Sequence, residues 1–136
     1  MFQNYKFYSL VGIISILFFF SKCQEENNVK TVVNPCHCND LIYDELYNHF
    51  FIEERTNPYT GKCQEYFKNG KVSLEKEFID GKLDGKMITY RKNGKVISIV
   101  ELKLNFIDGK TIFYDKMGND SLVQYYKRGE LIADGH

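Results

Sequence analysis

The sequence predicts an all-β fold, an antiparallel meander of β-hairpins forming an elongated single-sheet array. Three observations carry this expectation. Gly61, Gly85 and Gly109 are spaced by 24 residues, as are Tyr66, Tyr90 and Tyr114, and Gly70, Gly94 and Gly118. Periods of roughly 20–50 residues mark arrays in which each unit buries its apolar surface only against its neighbours. The segments between these glycines, such as Lys86 to Arg91 and Val96 to Val100, are rich in β-branched and aromatic residues. Asn69-Gly70 and Asn93-Gly94 are strong hairpin signals, because these residue types tolerate positive φ.

Taken in order, residues 1–22 read as a signal peptide of lipoprotein type. Lys6 supplies a basic start, and Phe7 to Phe20 form a nearly continuous apolar stretch without charge. That stretch is short for a membrane-spanning helix, which needs about 20 residues; an uncleaved N-terminal anchor is the alternative. Phe20-Ser21-Lys22-Cys23 resembles a bacterial lipoprotein cleavage site with Cys23 as the lipidated residue, although Lys22 stands where the pattern has a small residue. Gln24-Glu25-Glu26 resembles the acidic tract that follows the lipidated cysteine in surface-exposed lipoproteins. Multiple acyl chains on Cys23 would anchor the protein stably, where a single chain is marginal.

Residues 23–38 form a polar tether that ends in Cys36-His37-Cys38, and residues 39–57 form a capping segment. Tyr47 to Ile52 favours a strand pair there, with a helix begun at Asn39 or Asp40 as the alternative. Residues 58–136 hold three hairpin units. Asp80-Gly81, Asp84-Gly85 and Asp108-Gly109 are read as the turns between hairpins.

Loop length decides which side chains share a face, because a one-residue slip exchanges the faces. A three-residue loop with Gly in a bulge groups Tyr66 with Val72, Leu74 and Phe78. It also groups Ile88 and Tyr90 with Val96, Val100 and Leu102, and Ile112 and Tyr114 with Leu122 and Tyr126. The opposite face then carries Phe67, Ile97, Ile99, Phe113, Val123 and Tyr125 among charged residues. These six are the candidate partner-binding residues; the alternative is that residues 39–55 or the twist of the sheet cover them.

The pattern at Gly85 to Lys95, with Tyr90 and Gly94, resembles the MORN-variant repeat of bacterial exported proteins. So do Pro58 to Lys62, Tyr66 to Lys71, and Gly81 to Gly85, over roughly residues 58–135. The third unit departs from it, with Met117-Gly118-Asn119 in place of Asn-Gly-Lys. The resemblance implies a scaffold that contacts proteins or lipids, with no catalytic residues. Many members of that family are regarded as antitoxin components of toxin–antitoxin systems.

Eighteen basic and eighteen acidic side chains leave no net charge to argue for nucleic acid. Residues 24–60 carry a net −5 and residues 61–136 a net +3. Cys36, His37 and Cys38, with Cys63 or His49, bring four soft ligands to mind, but a Cys-x-Cys spacing suits a zinc ion poorly and no metal is expected. In oxidising surroundings Cys36 or Cys38 would pair with Cys63, leaving one odd thiol. No nucleophile–base constellation, phosphate loop or paired-carboxylate cleft is legible. The expectation is therefore a non-enzymatic exported protein without cofactor. It would be lipid-anchored in the cell envelope and bind a protein partner, or alternatively lipid or polysaccharide, or serve a structural role.

Overall fold

The computed structural model describes residues 35–52 and 57–135, so the signal-peptide, tether and Cys23 expectations up to residue 34 lie outside the described residues. Strands are β1 (Cys36–His37), β2 (Leu41–Asp44), β3 (His49–Ile52), β4 (Gly61–Tyr66), β5 (Val72–Ile79), β6 (Lys82–Tyr90), β7 (Val96–Lys103), β8 (Phe106–Tyr114), β9 (Asp120–Lys127) and β10 (Glu130–Gly135). One 3₁₀ turn, Cys38–Asp40, follows β1. Strands β4 to β10 form an antiparallel meander in chain order, and β1 adds to the β4 edge as a parallel strand. A separate two-stranded sheet joins β2 to β3. One expectation changes here: the segment beginning at Cys36 belongs to the sheet rather than to the tether. The capping segment holds the strand pair that its sequence favoured, and not the alternative helix.

Two kinds of turn alternate. Three-residue turns join β4 to β5 and β6 to β7; in each, the glycine N–H donates back to the residue before the loop, Gly70 to Phe67 O at 2.9 Å and Gly94 to Arg91 O at 2.8 Å. Gly70 and Gly94 sit at φ +80° and +89°, where only glycine avoids a Cβ penalty. Two-residue turns return the chain on the opposite edge at Asp80-Gly81, Leu104-Asn105 and Arg128-Gly129, with positive φ at both positions of each pair. This geometry matches the twist of the flanking strands. These turns are tied across the sheet by Gly81 N–H to Tyr59 O, Asn105 N–H to Leu83 O and Gly129 N–H to Ile107 O, at 2.8, 3.0 and 2.8 Å. Asp84-Gly85 and Asp108-Gly109 are therefore not turns. They lie inside β6 and β8, at irregularities opposite Glu77 and Glu101.

At those irregularities a carboxylate takes the place of a ladder bond. Glu77 Oε2 accepts the Lys86 N–H and Glu101 Oε2 accepts the Lys110 N–H, both at 2.8 Å. Each carboxylate lies over the neighbouring glycine, where any Cβ would overlap it. Close approach, more than turn formation, is what Gly85 and Gly109 supply.

The face assignment needs the larger correction. Tyr66 pairs with Val72, as a three-residue loop requires, but Glu65 then pairs with Leu74, leaving Ser73 as an extra residue. The same offset leaves Ile97 between Tyr90↔Val96 and Thr89↔Ser98, and Ser121 between Tyr114↔Asp120 and Phe113↔Leu122. One extra residue reverses the inside-outside alternation beyond it. Tyr66, Val72, Tyr90, Val96 and Tyr114 thus share a face with Glu75, Ile88, Ile99, Ile112, Val123 and Tyr125. Leu74, Phe78, Val100, Leu102, Leu122 and Tyr126, expected beside the tyrosines, occupy the other face.

That other face is the more deeply buried, with Phe78 3 % exposed, Thr111 3 % and Cys63 0 %. Its core begins where Cys36, Tyr59, Cys63 and Phe78 meet Leu41, Phe50 and Ile52 of the capping hairpin. Phe50 and Tyr59 set their rings 5.0 and 5.5 Å from the Phe78 ring. The Cys38–Cys63 disulfide staples the capping hairpin to β4 across 25 residues. No described cysteine is a free thiol, so the odd thiol expected beside that bridge is not present.

Candidate functional site

The tyrosine-bearing face is built from strands whose charged residues are placed in pairs. Lys62 bridges Glu77 at 2.8 Å and Glu75 at 3.5 Å. Gln64 Nε2 donates to Glu75 Oε2 at 2.8 Å, and the Tyr66 hydroxyl donates to Gln64 Oε1 at 2.8 Å. The Glu77 hydrogen bond holds Lys62 above its usual range, against a smaller effect of burial. Burial pushes Glu77 up, but the Lys62 bond and the Lys86 N–H outweigh it and leave the carboxyl below its usual range. Burial, with the Glu75 charge adding to it, raises the Tyr90 hydroxyl above its usual range.

Two open clefts lie on this face beside the three-residue turns, with volumes of about 460 and 440 Å³. Their walls correspond position by position at a separation of 24 residues. Gly70, Lys71, Val72, Glu75, Tyr90 and Gly94 of the first are matched by Gly94, Lys95, Val96, Ile99, Tyr114 and Gly118 of the second. Gln64 makes the first cleft more polar and Met117 makes the second more apolar. Each valine sits next to the turn, and each tyrosine comes from the following hairpin, so no cleft is complete within one hairpin.

The turns themselves form a basic edge. Segments 67–71, 91–95 and 115–119 hold six basic residues and one acid. Asp115 spends its charge inside its own turn: Oδ1 accepts the N–H groups of Met117, Gly118 and Asn119. Those bonds, the Asn119 N–H foremost, hold its carboxyl below the usual range. Arg91 Nη2 donates to Tyr114 O at 2.7 Å, and Lys95 Nζ reaches the carbonyls of Lys116 and Met117 at 3.4 and 3.3 Å. Lys68, Lys71, Lys92 and Lys116 are exposed and form no ion pair with a described carboxylate.

The six residues expected to form one binding patch are separated. Ile99, Val123 and Tyr125 lie on the cleft face, and Ile99 lines the second cleft. Phe113 lies on the opposite face, Ile97 is the extra residue of its strand, and Phe67 begins a turn. Sequence reasoning missed the supporting roles of Glu77 and Glu101 and the row of turn lysines, although Lys68, Lys92 and Lys116 keep the 24-residue spacing. His37 Nδ1 accepts the Asn39 N–H and His49 Nδ1 contacts Tyr47 O. Among the described residues no three His, Cys, Asp or Glu side chains converge as a metal site, and no helix is long and apolar enough to cross a membrane.

Comparisons with protein-family models, with curated proteins and with solved structures found no match to this chain.

Proposed function

We propose that the protein is a non-catalytic, exported repeat protein of MORN-like hairpins that binds a protein partner at the cell envelope. An anchor through Cys23 would hold it there, and an antitoxin- or immunity-like role is the specific form that the family resemblance favours. The observation that carries the reading is the pair of matching clefts. Both have a valine and a tyrosine wall; the second adds Ile99 and Met117 and offers apolar and aromatic surface of the kind that anchors protein side chains, while Gln64, Lys71 and Glu75 make the first more polar. A preformed sheet face presents that surface with little ordering cost on the protein's side.

The test is photo-crosslinking in the native host, with the reactive residue at Ile99 on the cleft face or at Phe113 on the opposite face. A discrete protein adduct at Ile99 and none at Phe113 is the expected result. Adducts to lipid or glycan alone, or none from either position, would overturn the protein-binding reading.

A further inference from the structure

Building on the protein-binding reading, we propose that the basic turn edge and its two clefts together take an acidic, extended segment of the partner, lying across the strands. Three observations converge on it. Lys68, Lys71, Lys92 and Lys116 at this edge form no ion pair with a described carboxylate, whereas Lys62, Lys76 and Lys127 elsewhere on the sheet are each ion-paired within the chain. The four turn lysines concentrate exposed positive charge along the turns beside the two clefts, which suits an anionic ligand. The second cleft offers Val96, Ile99 and Tyr114 beside Lys95 and has neither carboxylate nor amide side chain, so it suits an aliphatic or proline side chain better than sugar hydroxyls.

Spacing selects the conformation of the bound chain. Matching clefts are two strands apart, about 9.6 Å at the usual inter-strand distance of about 4.8 Å. A polyproline II chain returns to the same side every third residue, over about 9.3 Å. A β-strand does so about every 6.8 Å, out of step with the clefts. The ladder of the meander is already made between β4 and β10, so the ligand docks through side chains rather than by joining the sheet. An apolar residue at every third position would enter successive clefts, and acidic residues between them would meet Lys68, Lys71, Lys92 and Lys116.

The probe is a fluorescein-labelled nonapeptide with leucine at every third position and proline and glutamate between. It is compared with the same peptide carrying lysine for glutamate, with a version carrying leucine at alternate positions, and with anionic phospholipid vesicles. Anisotropy titrations use the wild-type protein and the triple variant Lys71→Glu, Lys92→Glu, Lys116→Glu. All three positions are exposed, and an unchanged circular dichroism spectrum verifies folding.

The glutamate peptide should bind the wild type, at least about tenfold more weakly after charge reversal, and progressively more weakly as salt is added. Failure of that peptide to bind would overturn the assignment, as would equal binding of either control peptide, equal binding by the variant, or preference for vesicles. A protein adduct at Ile99 that persists undiminished in the triple variant would also overturn the edge assignment while leaving protein binding intact. Loss of every adduct in the wild type would instead remove the underlying reading.

Discussion

Gly109→Ala should be far more damaging than Gly94→Ala, although both glycines have positive φ and belong to the sequence period. Gly94, at φ +89°, has no atom within 4 Å of an added Cβ. Its substitution incurs only the left-handed penalty, about 1–2 kcal/mol. Gly109, at φ +117°, would place a Cβ against the Glu101 carboxylate and 3.1 Å from Glu101 Cβ. That carboxylate cannot move aside without giving up the Lys110 N–H, and a hydrogen bond to a charged group contributes about 1.5–3 kcal/mol. The combined cost is about 2.5–5 kcal/mol, a large share of the total for a small domain. Urea unfolding of the two variants measures the difference directly, provided the m-values agree. A double-mutant cycle identifies the cause: in a Glu101→Ala background, which leaves only the 3.1 Å Cβ contact, most of the excess cost of Gly109→Ala over Gly94→Ala should vanish. Equal costs for the two single variants, or an unchanged cost in that background, would refute the role assigned to the carboxylate.

Replacing Cys38 and Cys63 by serine should lower stability by about 3.5 kcal/mol, the loop-entropy value for a 25-residue separation, measured as the shift in urea midpoint relative to the oxidised protein. Phe78→Ala should cost about 3–5 kcal/mol, because the ring is buried between Phe50 and Tyr59, and thermal unfolding should show a clear fall in Tm. Leu104→Gly should stabilise by up to about 1 kcal/mol, since Leu104 holds φ +52° while its side chain is 53 % exposed; a destabilised variant would contradict this. Glu77 is depressed in the folded state, so its contribution is present above the unfolded carboxylate pKa and is lost as pH falls through the folded value. Stability should therefore drop below about pH 4.3, and Glu77→Gln should flatten that drop; equal acid sensitivity in both proteins would refute the assignment.

How much of this was legible follows from the range of the interactions involved. Turn chemistry is local: Asn69-Gly70 and Asn93-Gly94 specify their own positive-φ geometry, and the all-β class with hairpins in chain order follows from such turns and the β-prone runs between them. The three-residue loop length was inferred from facing instead: its Tyr66–Val72 pairing stands, although the face beyond Val72 is reversed. The Leu104-Asn105 turn is less obvious from composition, because leucine is a poor turn residue, yet its position 24 residues after Asp80-Gly81 marks it.

Tertiary structure decided what lies across the sheet. Ser73, Ile97 and Ser121 are ordinary strand residues in sequence, and only the partner strand's register makes each of them supernumerary. That single offset moved Phe113 away from Ile99, Val123 and Tyr125. Likewise Glu77 and Glu101 read as solvent-facing carboxylates until β6 and β8 bring Gly85 and Gly109 beneath them. The choice of Cys38 as the partner of Cys63 depended on where β1 docks beside β4. Sequence alone thus determined the strands and the tight turns, where the energy is local to a few dihedrals. Register, facing and the paired clefts depend on contacts between hairpins, which no single segment encodes.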